Sequence, residues 1–271
     1  MSKQKVALMV KVYNEQFFLN YMLDYYETLG VDGIFIFDDG STDETYSMLK
    51  EWEESGNNRL MITQSDPKEV WFDPEVSEGE LINEAIEIIK EAGFDWVFKL
   101  DADEVFSIGT QRLINQIQRG RAVGVHGYNF PRIHYVGGLR RRIWGNYDDS
   151  STWYPDYNTR AFNLNINDWR HSEIKQLDTQ LFPVKRPAHI VTLSDDHIIH
   201  HFHFLFEGRR IVRHGVLEED DGFYIKTSNY DIIDVDEKDN LRLPVSFIDW
   251  YLEQIEHIKD RKYGEDNEGV L

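Results

Sequence analysis

The sequence predicts an α/β protein, a mostly parallel central sheet flanked by helices with a more irregular C-terminal half. Three observations carry that prediction. Short apolar runs alternate with amphipathic helical stretches through about the first hundred residues. Three of these runs end in polar stretches that carry acidic residues. No window approaches 18 apolar residues, so the apolar runs are core elements and none reads as a membrane span.

Taken in order, Val6 to Val12 is short, apolar and β-prone. Asn14 is placed to cap a helix whose apolar positions Phe18, Met22, Tyr25 and Leu29 recur at helical spacing, and Gly30 ends it. Gly33 to Phe37 is a continuous apolar run, long enough for a buried strand and too short for a helix. Ser41 with Glu44 reads as a capping box opening a helix from Asp43 to Glu54. Leu60 to Thr63 is a third strand, and a helix from Glu80 to Ala92 follows, ended by Gly93. Asp95 to Leu100 is a fourth strand. After residue 120, Val123–Tyr135, Thr159–Leu164, His189–Leu193 and His197–Phe204 read as strands, and Arg140–Pro155 as an aromatic, polar loop. Glu207–Glu218 reads as a helix. A last helix from Val245 to Arg261 carries Ile248, Leu252, Ile255 and Ile258 on one face, before an acidic tail from Glu265 to Leu271.

At 271 residues and 41% hydrophobic the chain can bury a real core, and no repeat or linker divides it. With no cysteine, disulfide scaffolds, zinc–thiolate sites, iron–sulfur clusters and thiol catalysis are excluded. Lys and Arg number 29 against 49 Asp and Glu, a net charge of −20, which argues against nucleic acid as a partner. A phosphate-bearing substrate would need a metal ion or a local basic patch. The N-terminal Met1-Ser2-Lys3-Gln4-Lys5 leads straight into a strand without a signal-peptide pattern, and a cytoplasmic location is expected.

Alternating strands and helices imply right-handed βαβ units, whose ligands collect at the carboxyl ends of the strands. Tyr13-Asn14-Glu15, Asp38 to Asp43 and Asp101 to Glu104 all sit at such ends. Asp101 and Asp103, with the small Ala102 between them, can hold a hard divalent cation from one side while substrate phosphates complete its shell. In this order and spacing, Val10-Lys11-Val12-Tyr13-Asn14-Glu15, Asp38-Asp39-Gly40-Ser41-Thr42-Asp43 and Asp101-Ala102-Asp103 resemble the nucleotide-sugar-dependent glycosyltransferases of family 2. The resemblance covers roughly residues 5–110. It implies the Rossmann-like GT-A fold in a single domain over residues 1–271. Residues 1–120 would bind the nucleotide sugar, 121–240 would form the acceptor side, and 241–271 the C-terminal helix and tail.

The same resemblance implies roles. Val12, Tyr13, Asn14 and Glu15 would lie against the base and ribose of a nucleotide-diphosphate sugar donor, and Asp38 or Asp39 would hydrogen-bond the base. Asp101 and Asp103 would hold Mn²⁺ or Mg²⁺ bridging the donor diphosphate. Read from the residues alone, Asp38 and Asp39 also suit a turn and a helix cap, Tyr13 also suits packing, and Glu104 suits either a solvated charge or a partner behind the site.

In the second half, Thr159-Arg160-Ala161-Phe162-Asn163 and Trp169-Arg170-His171-Ser172-Glu173 look like the Arg-Leu-Phe and His-Glu segments of some bacterial members. Glu173 is the candidate general base for deprotonating the acceptor hydroxyl, with Asp156 a lesser candidate. Four of the ten histidines fall between Asp196 and His203, and strand alternation would put His197, His201 and His203 on one face and His200 on the other. His201, then His203 and His200, are candidate further metal ligands on the family resemblance, against a core role for each. Arg209, Arg210, Arg213 and His214, or Arg140 to Arg142, suit a phosphate clamp or a solvated surface. Trp144, Tyr147, Trp153, Tyr154 and Tyr157 suit sugar stacking or packing.

The function expected is metal-dependent transfer of a sugar to a hydroxyl of a glycan or lipid-linked acceptor, with inversion. A metal-dependent phosphoesterase and a non-catalytic nucleotide- or glycan-binding domain are the alternatives. Donor base, sugar, acceptor and oligomeric state are not legible in the sequence.

Overall fold

The computed structural model describes residues 3–55, 60–64, 78–136, 139, 141–146, 153–154, 156–171, 181–185, 187–194, 196–204, 231–234 and 242–265. Its first half is the expected alternation. β1 (Val6–Val12) leads to α1 (Gln16–Thr28), β2 (Gly33–Asp38), α2 (Thr45–Glu54), β3 (Leu60–Gln64), α3 (Glu78–Glu91) and β4 (Trp96–Asp101). A short β5 (Glu104–Phe106) and α4 (Thr110–Gln118) follow. The second half contributes β6 (Gly127–Val136), β7 (Arg141–Asn146), β8 (Trp153–Tyr154), β9 (Asp156–Asn163), β10 (Trp169–His171), β11 (Leu181–Pro183), β12 (Ile190–Thr192), β13 (Ile199–Phe204), β14 (Asp231–Asp234) and α5 (Val245–Glu265).

The main sheet runs β14-β7-β6-β9-β4-β1-β2-β3. The four strands from β3 to β4 are parallel, whereas β9 joins β4 and β6 antiparallel. The parallel strands are buried on both faces, and period-two alternation divides their side chains between two cores. Val6, Leu8, Val10, Ile34, Ile36, Phe98 and Leu100 face one cluster with α1 and α4. Ala7, Met9, Phe35, Phe37 and Val97 face another, covered by Ile82, Ala85, Ile86 and Ile89 of α3.

Several sequence expectations are corrected. Arg141–Asn146 and Trp153–Tyr154, expected within a loop, are strands, because β6, β8 and β14 supply pairing partners for β7 that no local pattern reveals. β13 starts at Ile199, so alternation does not reach His197, which lies in the preceding turn. On α5 the buried contact is made by Phe247, which stacks on Phe202 at 4.1 Å and meets Tyr21 edge-on at 5.2 Å, while Leu252 is exposed. Of the expected aliphatic stripe Ile248 packs on the core, joined by Trp250 against both Phe17 and Phe18. The helix expected at Glu207–Glu218, with Arg209, Arg210, Arg213 and His214, lies outside the described residues, as do Arg140, Tyr147 and the tail after Glu265. No helix among the described residues is long and apolar enough to cross a membrane.

Candidate active site

Sheet register assembles the site. Lys11 lies opposite Asp101, and Val12 lies opposite Asp38. The loops leaving β1, β2 and β4 therefore start side by side at the carboxyl edge.

The first two loops are laced together. Asn14 adopts a left-handed backbone at φ 50°, a conformation that asparagine tolerates better than most side chains. It does not cap α1. Its Oδ1 accepts from the Thr42 amide at 2.8 Å, and its own amide donates to Ser41 Oγ at 2.9 Å. Ser41 in turn donates to Asp38 Oδ1, so the capping box expected of Ser41 and Glu44 does not form, and Asp43 Oδ1 accepts from Thr45 N at 2.9 Å instead. Gln64 Nε2 donates to Asp38 Oδ2 at 2.9 Å. Burial pushes the Asp38 carboxyl up in pKa, while Ser41 and Gln64 oppose the shift. Asp39 is buried with Oδ2 3.8 Å from Lys11 Nζ, and its amide donates to the Val12 carbonyl at 2.9 Å. Tyr13 is half-buried. Glu15 is buried, its amide bonded to Thr45 Oγ1 at 2.7 Å and its carbonyl accepting the first amides of α1.

At the end of β4 the two aspartates part. Asp101 accepts from Lys99 Nζ at 2.9 Å and from Arg160 at 3.3 and 3.4 Å, and 29% of its side chain is exposed to solvent. Burial raises its pKa, but Lys99, Arg160 and Lys11 together hold the carboxyl well below the usual range. Ala102 is buried and its amide donates to the Lys11 carbonyl at 3.2 Å. Asp103 is buried with Oδ2 3.4 Å from His201 Nε2. Glu104, fully buried, accepts from Arg160 at 2.8 Å, Arg132 at 3.3 Å and the Asp101 amide at 3.0 Å. Of its two readings, the partner behind the site is the one observed. Burial raises its pKa despite the two guanidinium groups.

β13 pairs with both β5 and β6, placing His201 opposite Glu104 on one side and His134 on the other. His201 Nδ1 lies 2.6 Å from His134 Nδ1. His134 Nε2 lies 3.3 Å from Asp156 Oδ1, and Arg132 grips the same carboxylate at 3.2 and 2.6 Å. Burial, His201 and Arg132 lower the His134 pKa to about 3. Burial opposes ionisation of Asp156, yet His134 and Arg132 hold it well below the usual carboxylate range. His200 points into the core, bonded to Tyr135 Oη at 2.8 Å and Ser107 Oγ at 3.2 Å, so it is not a ligand candidate. His203 belongs to β13, but its side chain lies outside the described residues, and Glu173 lies outside them altogether.

Sequence reasoning missed Lys99, Arg132 and His134, and Lys11 and Arg160 entered only as parts of family segments. Arg132 and His134 stand two apart on β6 beside the apolar Ile133, a period-two pair of polar residues facing one side, which is the signal that could have found them.

Among the described residues, no group of three or more His, Asp or Glu is arranged to hold a metal ion. The donor chemistry nevertheless fits a hard cation supplemented by substrate oxygens. Ligands at right angles on an ion ~2.1 Å away lie about 3 Å apart, close to the 3.4 Å between Asp103 and His201.

A parallel β3-β2-β1-β4 core, an antiparallel β9 between β4 and β6, and acidic loops at the carboxyl edge define a GT-A fold. The model of Glycosyl transferase family 2 matches residues 8–175, and the chain belongs to that family. Among solved structures, the chain is similar to S. aureus TarS 1-349 in complex with UDP, at 16% identity and a TM-score of 0.49, covering 73% of this chain and 60% of that one. It is also similar to glucosyl-3-phosphoglycerate synthase from Mycobacterium tuberculosis in complex with Mn²⁺, UDP and glucosyl-3-phosphoglycerate, at 16% identity and a TM-score of 0.35, covering 49% of this chain and 45% of that one. The chain thus spans less than two thirds of either structure. No curated protein matches it.

Proposed function

We propose that the chain is a metal-dependent glycosyltransferase of the cytoplasm. It moves a sugar from a nucleoside-diphosphate donor to a hydroxyl of a glycan or lipid-linked acceptor, with inversion at the anomeric carbon. The observation that supports this most is the register that brings the Val12–Glu15 loop, Asp38 and Asp39, and Asp101 and Asp103 to one edge of the sheet.

In this reading Val12, Tyr13, Asn14 and Glu15 seat the base and ribose, and Asp38, fixed by Ser41 and Gln64, offers the base an oriented carboxylate. Asp101, Asp103 and His201 would hold Mn²⁺ or Mg²⁺ only together with donor oxygens, since by themselves they are not arranged as a three-ligand site, and His203 is a further candidate. When bound, the ion offsets the charge of the diphosphate leaving group. Lys99, Arg160 and Lys11 keep Asp101 ionised for that role. Inversion requires a base opposite the leaving group. Asp156 is poorly suited, because a carboxylate held so strongly ionised is a weak proton acceptor. Glu173 is therefore the proposed base, and Asp156 is assigned to orienting its neighbours. A dinuclear phosphoesterase site would need more protein ligands than the described residues bring together.

The test is a thermal-shift screen of nucleoside diphosphates with and without Mn²⁺, UDP first. A diphosphate at a hundred times its Kd stabilises the native state by about 2.7 kcal/mol. At about 2–4 °C per kcal/mol that is a shift of roughly 5–10 °C. The shift should require the cation, and Asp103→Asn should weaken binding at least tenfold. Undiminished binding in both Asp101→Asn and Asp103→Asn would refute the metal role. Transfer itself is checked by release of nucleoside diphosphate from a nucleotide sugar that depends on an added acceptor.

A further inference from the structure

We propose that an arginine-lined groove along α4, away from the aspartate edge of the sheet, binds a glycan strand carrying carboxylate or phosphate groups. The strand's role as a long acceptor held at a distance from its reacting hydroxyl rests on the proposed function; binding in the groove does not.

Charge is segregated along the sequence. The chain carries 49 Asp and Glu in 271 residues, yet none stands between Glu104 and Asp148, a stretch that holds seven arginines. α4 lies in this stretch. Its exposed face and the turn beyond it line a groove of about 530 Å³ with Arg112, Arg119 and Arg121, and with no carboxylate among the described residues. None of the three arginines forms an ion pair or a side-chain hydrogen bond with a described residue. Helix electrostatics account for only part of this pattern. Arg119 and Arg121 lie at and just past the C-terminal end of α4, where a cation is favoured. Arg112 stands in the first turn, which holds no acidic residue and where a cation is disfavoured. Like charges lining one groove repel one another, and a multiply charged anion relieves that repulsion. Guanidinium forks match carboxylate and phosphate oxygens.

The rest of the lining points to a sugar chain. Gln111 and Asn115 each donate an amide N–H to a backbone carbonyl, of Thr28 at 2.7 Å and of Gln111 at 2.9 Å, which leaves their side-chain oxygens open to accept from hydroxyls. Gln116 adds a third amide, and Ile108, 62% exposed, offers an apolar contact at the start of the helix. Arg112 and Arg119 are about 10 Å apart along the helix axis, so an extended ligand reaches both. Among the described residues no aromatic ring lines the groove to stack on the bases of a single strand, and a concave site does not match a flat bilayer. α4 ends beside the start of β1, where the Gln4 amide donates to the Gln118 carbonyl at 3.0 Å. The groove therefore lies toward the amino ends of the parallel strands, apart from the loops that carry Asp101 and Asp103.

The experiment is titration calorimetry of the full chain with oligogalacturonate and with phosphorylated dextrin, against neutral dextrin of the same length. An acidic glycan should bind more tightly than the neutral one, and its affinity should fall as salt rises. The triple variant Arg112→Gln, Arg119→Gln and Arg121→Gln should lose about tenfold in affinity, the combined effect of three exposed charge pairs, and Arg112→Gln alone about twofold. All three side chains are exposed, so the variants should keep the wild-type melting temperature. Equal binding of neutral dextrin, no binding of either acidic glycan, or full affinity in the folded triple variant overturns the proposal. Tighter, arginine-dependent binding of oligothymidylate or of phosphatidylglycerol vesicles also overturns it, in favour of a nucleic-acid or membrane surface. Acidic-glycan binding in a chain that shows no Mn²⁺-dependent shift with any nucleoside diphosphate supports the groove and counts against the proposed function alone.

Discussion

Replacing Arg160 by methionine removes a buried guanidinium from between two carboxylates while keeping most of the aliphatic volume. Arg160 is 5% exposed and reaches Glu104 at 2.8 Å and Asp101 at 3.3 Å. Asp101 keeps Lys99 at 2.9 Å and some solvent. Glu104 has no solvent and keeps Arg132, at 3.3 Å, as an ion-pair partner, with Lys99 a weaker positive influence. The penalty therefore falls on Glu104. Removing one partner of a buried ion pair costs about 3–5 kcal/mol; with Arg132 still in place the lower end, about 3 kcal/mol, is expected. For a chain of this size that lowers Tm by roughly 6–12 °C. Scanning calorimetry and urea titration measure it. The double variant Arg160→Met with Glu104→Gln removes the stranded charge and should recover at least half of the loss, a coupling that a cycle of the four proteins reads directly. Additive effects in that cycle, or a single-variant loss below about 1 kcal/mol, would refute the reasoning.

Tyr25 and Tyr26 should respond oppositely to removal of their hydroxyls. Tyr25 Oη accepts from the Phe106 amide at 2.9 Å and donates to its carbonyl at 3.2 Å, so Tyr25→Phe strands two buried backbone groups and should cost about 1–3 kcal/mol by urea denaturation. Tyr26 Oη is buried without a hydrogen bond to any described residue, and Tyr26→Phe should be neutral or stabilising by up to about 1 kcal/mol. Burial pushes the Tyr21 phenol up to about 12 and raises Tyr25 and Tyr26 well above their usual value. Their contribution is complete below the unfolded pKa near 10 and is lost as pH rises toward the folded values, at about 1.4 kcal/mol per pH unit for each phenol, which an alkaline stability titration should show. At Asn14, with φ 50°, Asn14→Ala loses both the acceptor for Thr42 and the tolerated left-handed backbone, whereas Asn14→Gly loses only the acceptor. The alanine variant should be the less stable of the two by about 1 kcal/mol.

The N-terminal half was legible in the sequence because its signals are local. Gly33–Phe37 is apolar throughout and Val6–Val12 is apolar but for Lys11, as strands covered on both faces require, and Gly30 and Gly93 end their helices with φ of 74° and 80°. The capping assignments failed for a different reason. Asn14 and Ser41 were read against their own helices, but they face each other across 27 residues of chain, and a loop-to-loop bond outcompeted both caps. The second half was harder to read because its strands are defined by partners far along the chain. β7 draws on β6, β8 and β14, and nothing in Arg141–Asn146 announces that.

The candidate site divides along the same line. Asp38, Asp39, Asp101 and Asp103 were singled out because each lies in a short acidic string at a strand end. Their chemistry was not, because it is set by residues distant in sequence. Arg160 and Lys99 turn Asp101 into a clamped, strongly ionised carboxylate, while Asp103, two residues on, faces an imidazole instead. The net charge of −20 suggested that an anionic donor would need a metal ion or a local basic patch, for which Arg140 to Arg142 and Arg209 to Arg213 were candidates. The cations the structure brings to this edge are Lys11, Lys99 and Arg160, each buried and each supplied by a strand of the sheet. Buried in that way they act at short range and are little screened by salt. Each is paired with a carboxylate of the same edge, Lys11 with Asp39, Lys99 with Asp101 and Arg160 with Asp101 and Glu104, so they offset those carboxylates and leave attraction of the proposed diphosphate donor to the metal ion.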